Sequence, residues 1–338
     1  MCVNMRIGLI DADLMWRNRA NGRRYGKQKA DIYPNLALMK ISAHYKQNGH
    51  EVEWYNPFSG RYDVVCISKV FSDTPESREY INANEVFRGG SGYCIQTVNG
   101  KEVWKEPSFL SYVSVLYDDV EHIYPDYGLY PTVKDTAFGF LCRGCPRKCG
   151  FCHVASKEGC ASVKVADLNE WWHGQKRITL MDPNILACKD WENLLGQLAD
   201  SKAKVDINQG IDARLLTVEK AKALSKVKLS TIHFAWDDYK QKDSVLKGLE
   251  TFASNYPFKL EKSHQAQVFV LVNYDTTFQQ DLERIYTLRD MHFEPYVMVY
   301  DKQHAAPRYK SLQRWVNMRA IFHSVNTFEE YDKVKAKE

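Results

Sequence analysis

The first third of the chain carries the hydrophobic pattern of an open α/β unit. Continuous apolar runs predict strands at residues 6–10 and 63–68, and an alternating segment predicts a strand at residues 51–55. Between the first two strands along the chain, Leu38, Ile41 and Tyr45 recur at helical spacing, and Gly49 follows as the expected end of a helix. Strand and helix patterns therefore alternate from the start of the sequence.

A hairpin and a further strand complete this unit. Asn99 and Gly100 lie between apolar flanks, which is the strongest short signal for a β-hairpin and predicts one over residues 94–104. A polar helix is predicted after the strand at residues 63–68, and a further strand at residues 85–88. The alternation predicts a doubly wound, Rossmann-like open sheet over residues 1–117, with a ligand crevice at the carboxyl ends of its strands.

A second alternation begins at residue 134 and repeats six times. Its strand patterns lie at residues 136–141, 177–181, 204–208, 231–235, 267–272 and 295–300, and the helical patterns between them include 191–201, 218–226 and 278–291. Six βα repeats are fewer than the eight of a closed barrel. The pattern therefore predicts an open, partial (β/α)6 barrel over residues 134–302, and the fold class is α/β throughout.

The segments that flank this predicted barrel have weaker patterns. Residues 118–133 lack periodicity and contain two prolines and a glycine, so they are predicted to be a linker between the two domains. Residues 303–338 predict a C-terminal helical extension, with one helix at 312–322 followed by a charged, frayed end.

The composition is that of a soluble globular protein with a small net charge. Of 338 residues, 44% are hydrophobic and 26% charged, and the formal net charge of +4 is too small to demand a polyanionic partner. One stretch without acidic residues is strongly basic and contains Arg17, Arg19, Arg23, Arg24, Lys27 and Lys29. It is either a phosphate-contacting loop, through which nucleic acid could bind, or a solvated loop between core elements.

Cysteine use and hydropathy predict a cytoplasmic protein without a membrane partner. The sequence begins with a strand pattern rather than the long apolar region of a signal peptide. The longest strong apolar run, residues 268–272, is far too short to cross a bilayer. Nine cysteines in this setting favour metal ligation or redox chemistry in a reducing compartment over a secreted disulfide framework.

Four cysteines lie close together just after the first strand pattern of the second series. Cys145, Cys149 and Cys152 have the spacing C-x3-C-x2-C, which can bring three thiolates to one iron–sulfur cube and leave its fourth iron open. If Cys142 is included, the cysteines form two CxxC pairs, which could hold a structural zinc ion. The three residues between these pairs are fewer than the roughly 15–20 of a familiar double-CxxC zinc module.

The segment from Leu141 to Cys152 resembles the cluster loop of the radical S-adenosylmethionine (SAM) superfamily, and it stands after the first barrel strand as in that family. Residues 33–38 and 44–52 are similar to members that carry a cobalamin-binding-like N-terminal domain. The resemblance implies a radical SAM enzyme whose 4Fe-4S cluster, held by Cys145, Cys149 and Cys152, cleaves SAM reductively to a 5′-deoxyadenosyl radical. The substrate is unidentified, and methyl transfer to a nucleic acid or a small molecule is one option.

The same resemblance implies further cofactors and partners. A reducing electron donor of the flavodoxin or ferredoxin type would supply the cluster. Cobalamin is a candidate cofactor whose nucleotide tail would lie near Ser68, Gly89, Gly90 and Gly92, although the Asp-x-His-x-x-Gly signature of histidine-ligated cobalamin is absent.

Residues at the carboxyl ends of the barrel strands are the implied ligands of SAM. Asp182 and Asn184 stand where the family faces the methionine amino group, Arg214 is suited to the SAM carboxylate, and Trp236 to stacking. The full set of candidate cofactor-binding residues is Phe151, Asp182, Asn184, Asn208, Gln209, Arg214, Trp236 and Asn273. The candidate catalytic residues are Asp237 and Tyr300.

Three classes of function therefore remain open on the sequence. The first is a catalytic radical SAM enzyme. The second is a zinc-stabilised, non-catalytic nucleic-acid-binding protein that uses the basic stretch, and the third is a non-catalytic radical SAM-like scaffold whose cluster is structural.

Overall fold

The protein is an α/β protein built from two compact units that interleave in sequence. The computed structural model describes residues 4–15, 33–75, 80–98, 101–108, 112–113, 116–256 and 265–335. Unit 1 comprises Met1–Gly139, Arg147–Cys160 and Ala166–Lys176, and unit 2 comprises Phe140–Pro146, Ala161–Val165 and Arg177–Glu338. This division does not follow the predicted domain boundaries. Residues 134–139, 147–160 and 166–176, which lie within the predicted barrel, belong to unit 1.

A parallel sheet of five strands forms the centre of unit 1. In chain order its elements are β1 (Arg6–Asp11), α1 (Leu36–Gln47), β2 (Glu51–Trp54), β3 (Tyr62–Ser68), β4 (Ala83–Gly89), a hairpin of β5 (Ile95–Val98) and β6 (Lys101–Trp104), and β7 (Tyr112–Val113). The strand order is β2-β1-β3-β4-β7, and each neighbouring pair is parallel. The order reverses between β1 and β3, which is where open α/β sheets have a ligand crevice.

The predictions of β1 to β4, helix α1 and the hairpin are confirmed, whereas strand β7 was not predicted. Strands β5 and β6 pair antiparallel, with Val98 opposite Lys101, and the turn residues Asn99 and Gly100 lie outside the described residues. The predicted polar helix after β3 is not seen in residues 69–75 or 80–82, and the four residues between these segments are not described.

Residues 118–133, predicted to be a linker, pack into unit 1. They form the single helical turn α2 (Asp118–Glu121) and two 3-10 turns, Tyr127–Leu129 and Pro131–Val133. The hydroxyl of Tyr130 is buried and donates to the carboxylate of Asp11 at the end of β1, at 2.7 Å. Two prolines and a glycine predict a connector between domains, whereas most of the apolar and aromatic residues of this segment are buried in the core of unit 1.

The larger sheet has six strands whose spatial order follows the sequence. Along the chain come β8 (Thr136–Gly139), the short β9 (Cys142–Arg143), α3 (Val154–Glu158), the short β10 (Val163–Lys164), β11 (Arg177–Leu180), α4 (Trp191–Asp200), β12 (Lys204–Asp212), α5 (Val218–Lys226), β13 (Leu229–Ala235), α6 (Lys242–Asn255), β14 (Ala266–Val272), α7 (Phe278–Asp290) and β15 (Glu294–Val299). The sheet order is β15-β14-β13-β12-β11-β8, and the pairs from β11 to β15 are parallel. All six predicted strands are confirmed, and helices α3 and α6 lie outside the predicted helical patterns at 191–201, 218–226 and 278–291.

The C-terminal segment contains three helices rather than one helix and a frayed end. They are α8 (Pro307–Asn317), α9 (Arg319–Ser324) and α10 (Phe328–Lys335). Phe328 and Tyr331 of α10 are buried, and the Phe328 ring lies 5.9 Å from that of Trp315. Burial of these aromatic rings holds the charged C-terminal end against the protein. The polar composition of this segment gave no signal for that packing. Across the described helices, none is both long and apolar enough to cross a membrane.

The two faces of the sheet in unit 2 differ in burial. On β12 to β14, one set of alternate side chains is fully buried, as Ile207, Phe234 and Val268 show. The other set is half-buried and includes polar side chains such as Asp206 and His233. Because successive residues of a strand point to opposite faces, the sheet has one apolar face and one face of mixed polarity.

Candidate functional site

The carboxylate of Asp182 holds the start of the cysteine loop in unit 2. Asp182 follows β11 and is 1% exposed. Its two oxygens accept the main-chain N–H groups of Leu141 and Cys142, at 2.7 and 3.1 Å. The Cys142 thiol donates to the same carboxylate at 3.1 Å, and the Ser162 hydroxyl lies 3.3 Å from the Cys142 sulfur. Two segments 40 residues apart in sequence are therefore joined by one side chain.

Burial changes the ionisation of both partners. Loss of solvent raises the pKa of Asp182 to about 7, against the lowering effect of the three hydrogen bonds that it accepts. Burial, together with the charge of the Asp182 carboxylate, also raises the pKa of the Cys142 thiol far above its ordinary value. In this environment Cys142 is a neutral thiol that donates a hydrogen bond to Asp182.

Asn184 lies beside the first cysteine of the C-x3-C-x2-C motif. Its side-chain Nδ2 donates to the sulfur of Cys145 at 3.7 Å, and the residue is 2% exposed. The Oδ1 atom of Asn184 is buried and has no hydrogen-bond partner among the described residues. Unit 2 therefore brings together Cys145, Asn184 and Asp182 from the predicted site.

The other two motif cysteines and Phe151 belong to unit 1. The N–H group of Cys152 donates to the carbonyl of Cys149 at 3.0 Å, so the two residues share one tight turn, and both are exposed. Phe151, between them, is half-buried. Among the described residues, no three His, Cys, Asp or Glu side chains are arranged as a ligand set for a metal ion. Three thiols at the sequence spacing C-x3-C-x2-C have the chemistry that an iron–sulfur cluster needs, and the cluster itself stays a prediction.

Arg214, predicted to bind the SAM carboxylate, pairs with a carboxylate of the chain itself. Its Nε and NH2 groups donate to the two oxygens of Asp212 at 2.7 and 3.0 Å. Asp212 ends β12 and also accepts the N–H group of Arg214, which fixes the turn after the strand. On the same strand the amide of Gln209 donates to the Oδ1 of Asn208 at 2.8 Å. Arg214 thus has a structural role here, and its role toward SAM stays a prediction.

Trp236 and Asp237 lie at the end of β13 in a densely bonded corner. Trp236 is 1% exposed, so protein encloses the ring that was expected to stack on a cofactor. The Oδ1 of Asp237 accepts the N–H group of Leu271 at 3.0 Å, and burial raises the pKa of this carboxyl to about 6. The fully buried Arg284 of α7 donates to the main-chain carbonyls of Trp236, Asp237 and Leu271. These contacts fix strand ends, and a catalytic role of Asp237 stays a prediction.

Asn273 and Tyr300 are brought together at the ends of β14 and β15. The Asn273 side chain donates to the Tyr300 carbonyl at 2.9 Å, and its backbone has a φ of 64°. The rings of Tyr274 and Tyr300 meet edge to face with centroids 4.8 Å apart. Asn273, predicted to bind a cofactor, and Tyr300, predicted to be catalytic, are therefore neighbours.

The mixed face of the unit 2 sheet holds a polar group that sequence reasoning missed. The Nδ1–H of His233 donates to the carbonyl of Ile207 at 2.9 Å, and the same nitrogen lies 3.8 Å from the Asp206 carboxylate. The His233 ring stacks on Phe269 with centroids 5.0 Å apart, and the Thr231 hydroxyl donates to Asp206. Polar residues at alternate positions of otherwise apolar strands were the signal that could have shown this face.

At the carboxyl ends of the unit 1 strands, the proposed cobalamin-contacting residues bind their own chain. The Ser68 hydroxyl accepts from the Asn35 amide at 2.7 Å. A Cβ on Gly90, whose φ is 102°, would overlap the Lys69 carbonyl, and one on Gly92 would lie 2.6 Å from the Phe71 oxygen. The close approach that these glycines permit is therefore to the loop after β3, so they are no sign of a cofactor.

Neither a scan of protein-family models nor a search of the curated proteins gives a match for this chain. The basic stretch that was considered for nucleic acid lies wholly outside the described residues. Functional assignment therefore depends on the cysteine spacing and on the contacts within each unit.

Proposed function

We propose that the protein is a radical SAM enzyme. The observation that carries this proposal is the C-x3-C-x2-C spacing of Cys145, Cys149 and Cys152, which begins six residues after the first strand of a six-stranded, sequentially ordered sheet ends at Gly139. Three thiols at this spacing would supply three ligands of a 4Fe-4S cluster and leave its fourth iron open for SAM. A cluster held by Cys145, Cys149 and Cys152 would supply the electron for the reductive cleavage of SAM to methionine and a 5′-deoxyadenosyl radical.

The order of the strands supports the finer fold that this proposal needs. Each strand from β11 to β15 pairs in parallel with the next one along the chain, as in the wall of a (β/α) barrel. We take this sheet with its helices to be a partial (β/α)6 barrel. The reversal of strand order between β1 and β3 is that of a doubly wound sheet, which we propose for the N-terminal domain.

In this proposal the chain's own residues prepare the cluster loop. Asp182 binds the main chain of Leu141 and Cys142 and so fixes where the loop leaves the first strand. Asn184 contacts the Cys145 sulfur, and its unpartnered Oδ1 could accept a hydrogen bond from the SAM amino group. SAM, an unidentified substrate and a flavodoxin- or ferredoxin-type donor are the proposed partners, and cobalamin remains a candidate cofactor.

The contacts of Cys142 weigh against the zinc-stabilised alternative. A four-thiolate site needs Cys142 as a thiolate ligand. Its sulfur instead contacts the Asp182 carboxylate and the Ser162 hydroxyl, at 3.1 and 3.3 Å. Three ligands, rather than four, is therefore the reading that the contacts favour.

Anaerobic reconstitution with iron and sulfide tests the proposal. The wild type and Cys142→Ala should take up about four irons per chain and convert SAM to 5′-deoxyadenosine after reduction. Cys149→Ala should lose SAM cleavage, whereas Cys160→Ala, which removes another exposed cysteine of unit 1, should retain it. A colourless protein that binds one zinc ion and loses it in Cys142→Ala would contradict the proposal. A cluster without SAM cleavage would indicate the non-catalytic scaffold.

A further inference from the structure

The Asn184 side chain is aimed at a sulfur that the proposed function makes a cluster ligand. The Nδ2–Sγ distance of 3.7 Å to Cys145 suits an N–H···S hydrogen bond, which is longer than one to oxygen because sulfur is larger. Asn184 is 2% exposed, so water does not compete for this donor. A thiolate sulfur can only accept, and the amide NH2 is the group of Asn184 that donates.

The main chain around Asn184 is fixed independently of this contact. The Ser162 hydroxyl lies within hydrogen-bonding distance of the Asn184 carbonyl, at 3.1 Å. The N–H group of Ala187 donates to the same carbonyl at 3.1 Å and closes the 3-10 turn Ile185–Ala187 that follows. The amide is thus presented to Cys145 by a turn that is already formed, and little ordering is needed for the bond.

We infer that Asn184 is a positioning residue that raises the reduction potential of the proposed cluster through its hydrogen bond to the Cys145 sulfur. The inference rests on the proposed function. Reduction adds one negative charge to the cluster and its thiolates, and a hydrogen-bond donor to a ligand sulfur stabilises that added charge. Removal of the donor therefore makes the cluster harder to reduce, while the three ligands stay in place.

Two substitutions and a matched control separate this effect from a loss of structure. Asn184→Ala removes the donor, and Asn184→Asp keeps the size of the side chain but places a carboxylate beside the sulfur. Asn193→Ala makes the same truncation on the exposed surface of α4. Far-ultraviolet circular dichroism compares the folding of the four proteins, and the near-isosteric Asn184→Asp keeps the test open if the alanine variant folds poorly.

The measured quantity is the midpoint potential of the reconstituted proteins without SAM, and electron paramagnetic resonance detects the reduced cluster during the titration. We expect Asn193→Ala to match the wild type. Asn184→Ala should shift the reduction equilibrium about tenfold toward the oxidised form, which is about 59 mV for one electron. Asn184→Asp should shift it further in the same direction.

The outcomes distinguish the inference from the proposed function. A wild type that takes up no iron–sulfur cluster contradicts the proposed function and, with it, the inference. A wild type with a cluster whose potential equals those of both Asn184 variants contradicts only the role of Asn184.

Discussion

At the scale of single residues, Asp182 shows that the hydrogen-bond partners of a polar side chain do not follow from its position in the sequence. It stands at the end of β11, where a SAM ligand was expected. Its oxygens, however, accept the main-chain N–H groups of Leu141 and Cys142 and the Cys142 thiol. A carboxylate with these partners stabilises the loop directly, and any contact with SAM would use its remaining lone pairs.

Substitution of Asp182 should therefore lower the stability of the protein even when no ligand is bound. Asp182→Ala leaves two buried N–H groups without an acceptor, at about 1–3 kcal/mol each. Urea unfolding should show the lower free energy of unfolding. Asp200→Ala, at an exposed carboxylate, should change it by less than about 0.5 kcal/mol. Equal stability of the two variants would remove the structural role of Asp182.

The ionisation of Asp182 also predicts a pH dependence. Its pKa rises from 3.8 to about 7 on folding, so between these values the folded protein keeps a proton that the unfolded chain has released. The free energy of unfolding should therefore fall as pH rises from about 4 to about 7. The pKa of Asp237, raised to about 6, contributes with the same sign over the lower part of this range.

Urea unfolding at several pH values checks this contribution. Asp182→Asn cannot titrate, so its free energy of unfolding should fall less between about pH 5 and pH 7 than that of the wild type. Parallel pH profiles for the two proteins would contradict the raised pKa.

At the scale of elements, helix α6 was not among the predicted helices of the barrel. Its buried positions include Gly248, and glycine is a poor helix former, which weakens the helical signal. The structure explains this residue, because a Cβ at Gly248 would overlap the carbonyl oxygen of Ala213 in the turn after β12. The helix packs so closely on that turn that only glycine fits at this position, despite its low helix propensity.

Two glycine-to-alanine substitutions should consequently have opposite effects. Gly248→Ala forces α6 away from the turn and should lower the free energy of unfolding by about 1–3 kcal/mol. Gly196→Ala, in α4, meets no atom within 4 Å and should raise it by about 0.5–1 kcal/mol through better helix propensity. Thermal or urea unfolding measures both, and a stabilised Gly248→Ala would show that the close packing is absent.

At the scale of the whole molecule, the described cysteines separate into exposed and buried sets. Cys149, Cys152 and Cys160 are exposed, and Cys145 is partly exposed; the buried set is Cys66, Cys94, Cys142 and Cys188. Burial raises the pKa of the Cys66 thiol to about 12 and also raises that of Cys94. Because the thiolate is the nucleophile, the buried set should react slowly with alkylating reagents.

Alkylation mapped by mass spectrometry should therefore give a pattern that changes with the cluster. In the metal-free protein, iodoacetamide should label Cys149, Cys152 and Cys160 first. After reconstitution, Cys149, Cys152 and Cys145 should be protected, while Cys160 continues to react and serves as the internal control. Unchanged labelling of Cys149 and Cys152 in an iron-loaded protein would place the metal elsewhere.

Local pattern was sufficient for most of the fold. Apolar runs and alternation depend on a strand's immediate surroundings, so all six strands of the larger sheet and the hairpin of β5 and β6 could be predicted. The spacing of Cys145, Cys149 and Cys152 is likewise contained within eight consecutive residues. Helix α10 was not predicted, because its two buried aromatic residues stand among charged ones. Only the tertiary packing shows that these aromatic side chains are buried.

The use made of each polar side chain depended on contacts between distant parts of the chain. Asp182 binds residues 40 and 41 positions away, Asn184 contacts a sulfur 39 positions away, and Arg284 reaches the carbonyl of Trp236 across 48. Their types could be read from the sequence, but a carboxylate or amide at a strand end is equally suited to a ligand and to a main-chain group. Folding brings one particular partner within hydrogen-bonding distance, and that proximity alone assigns the task.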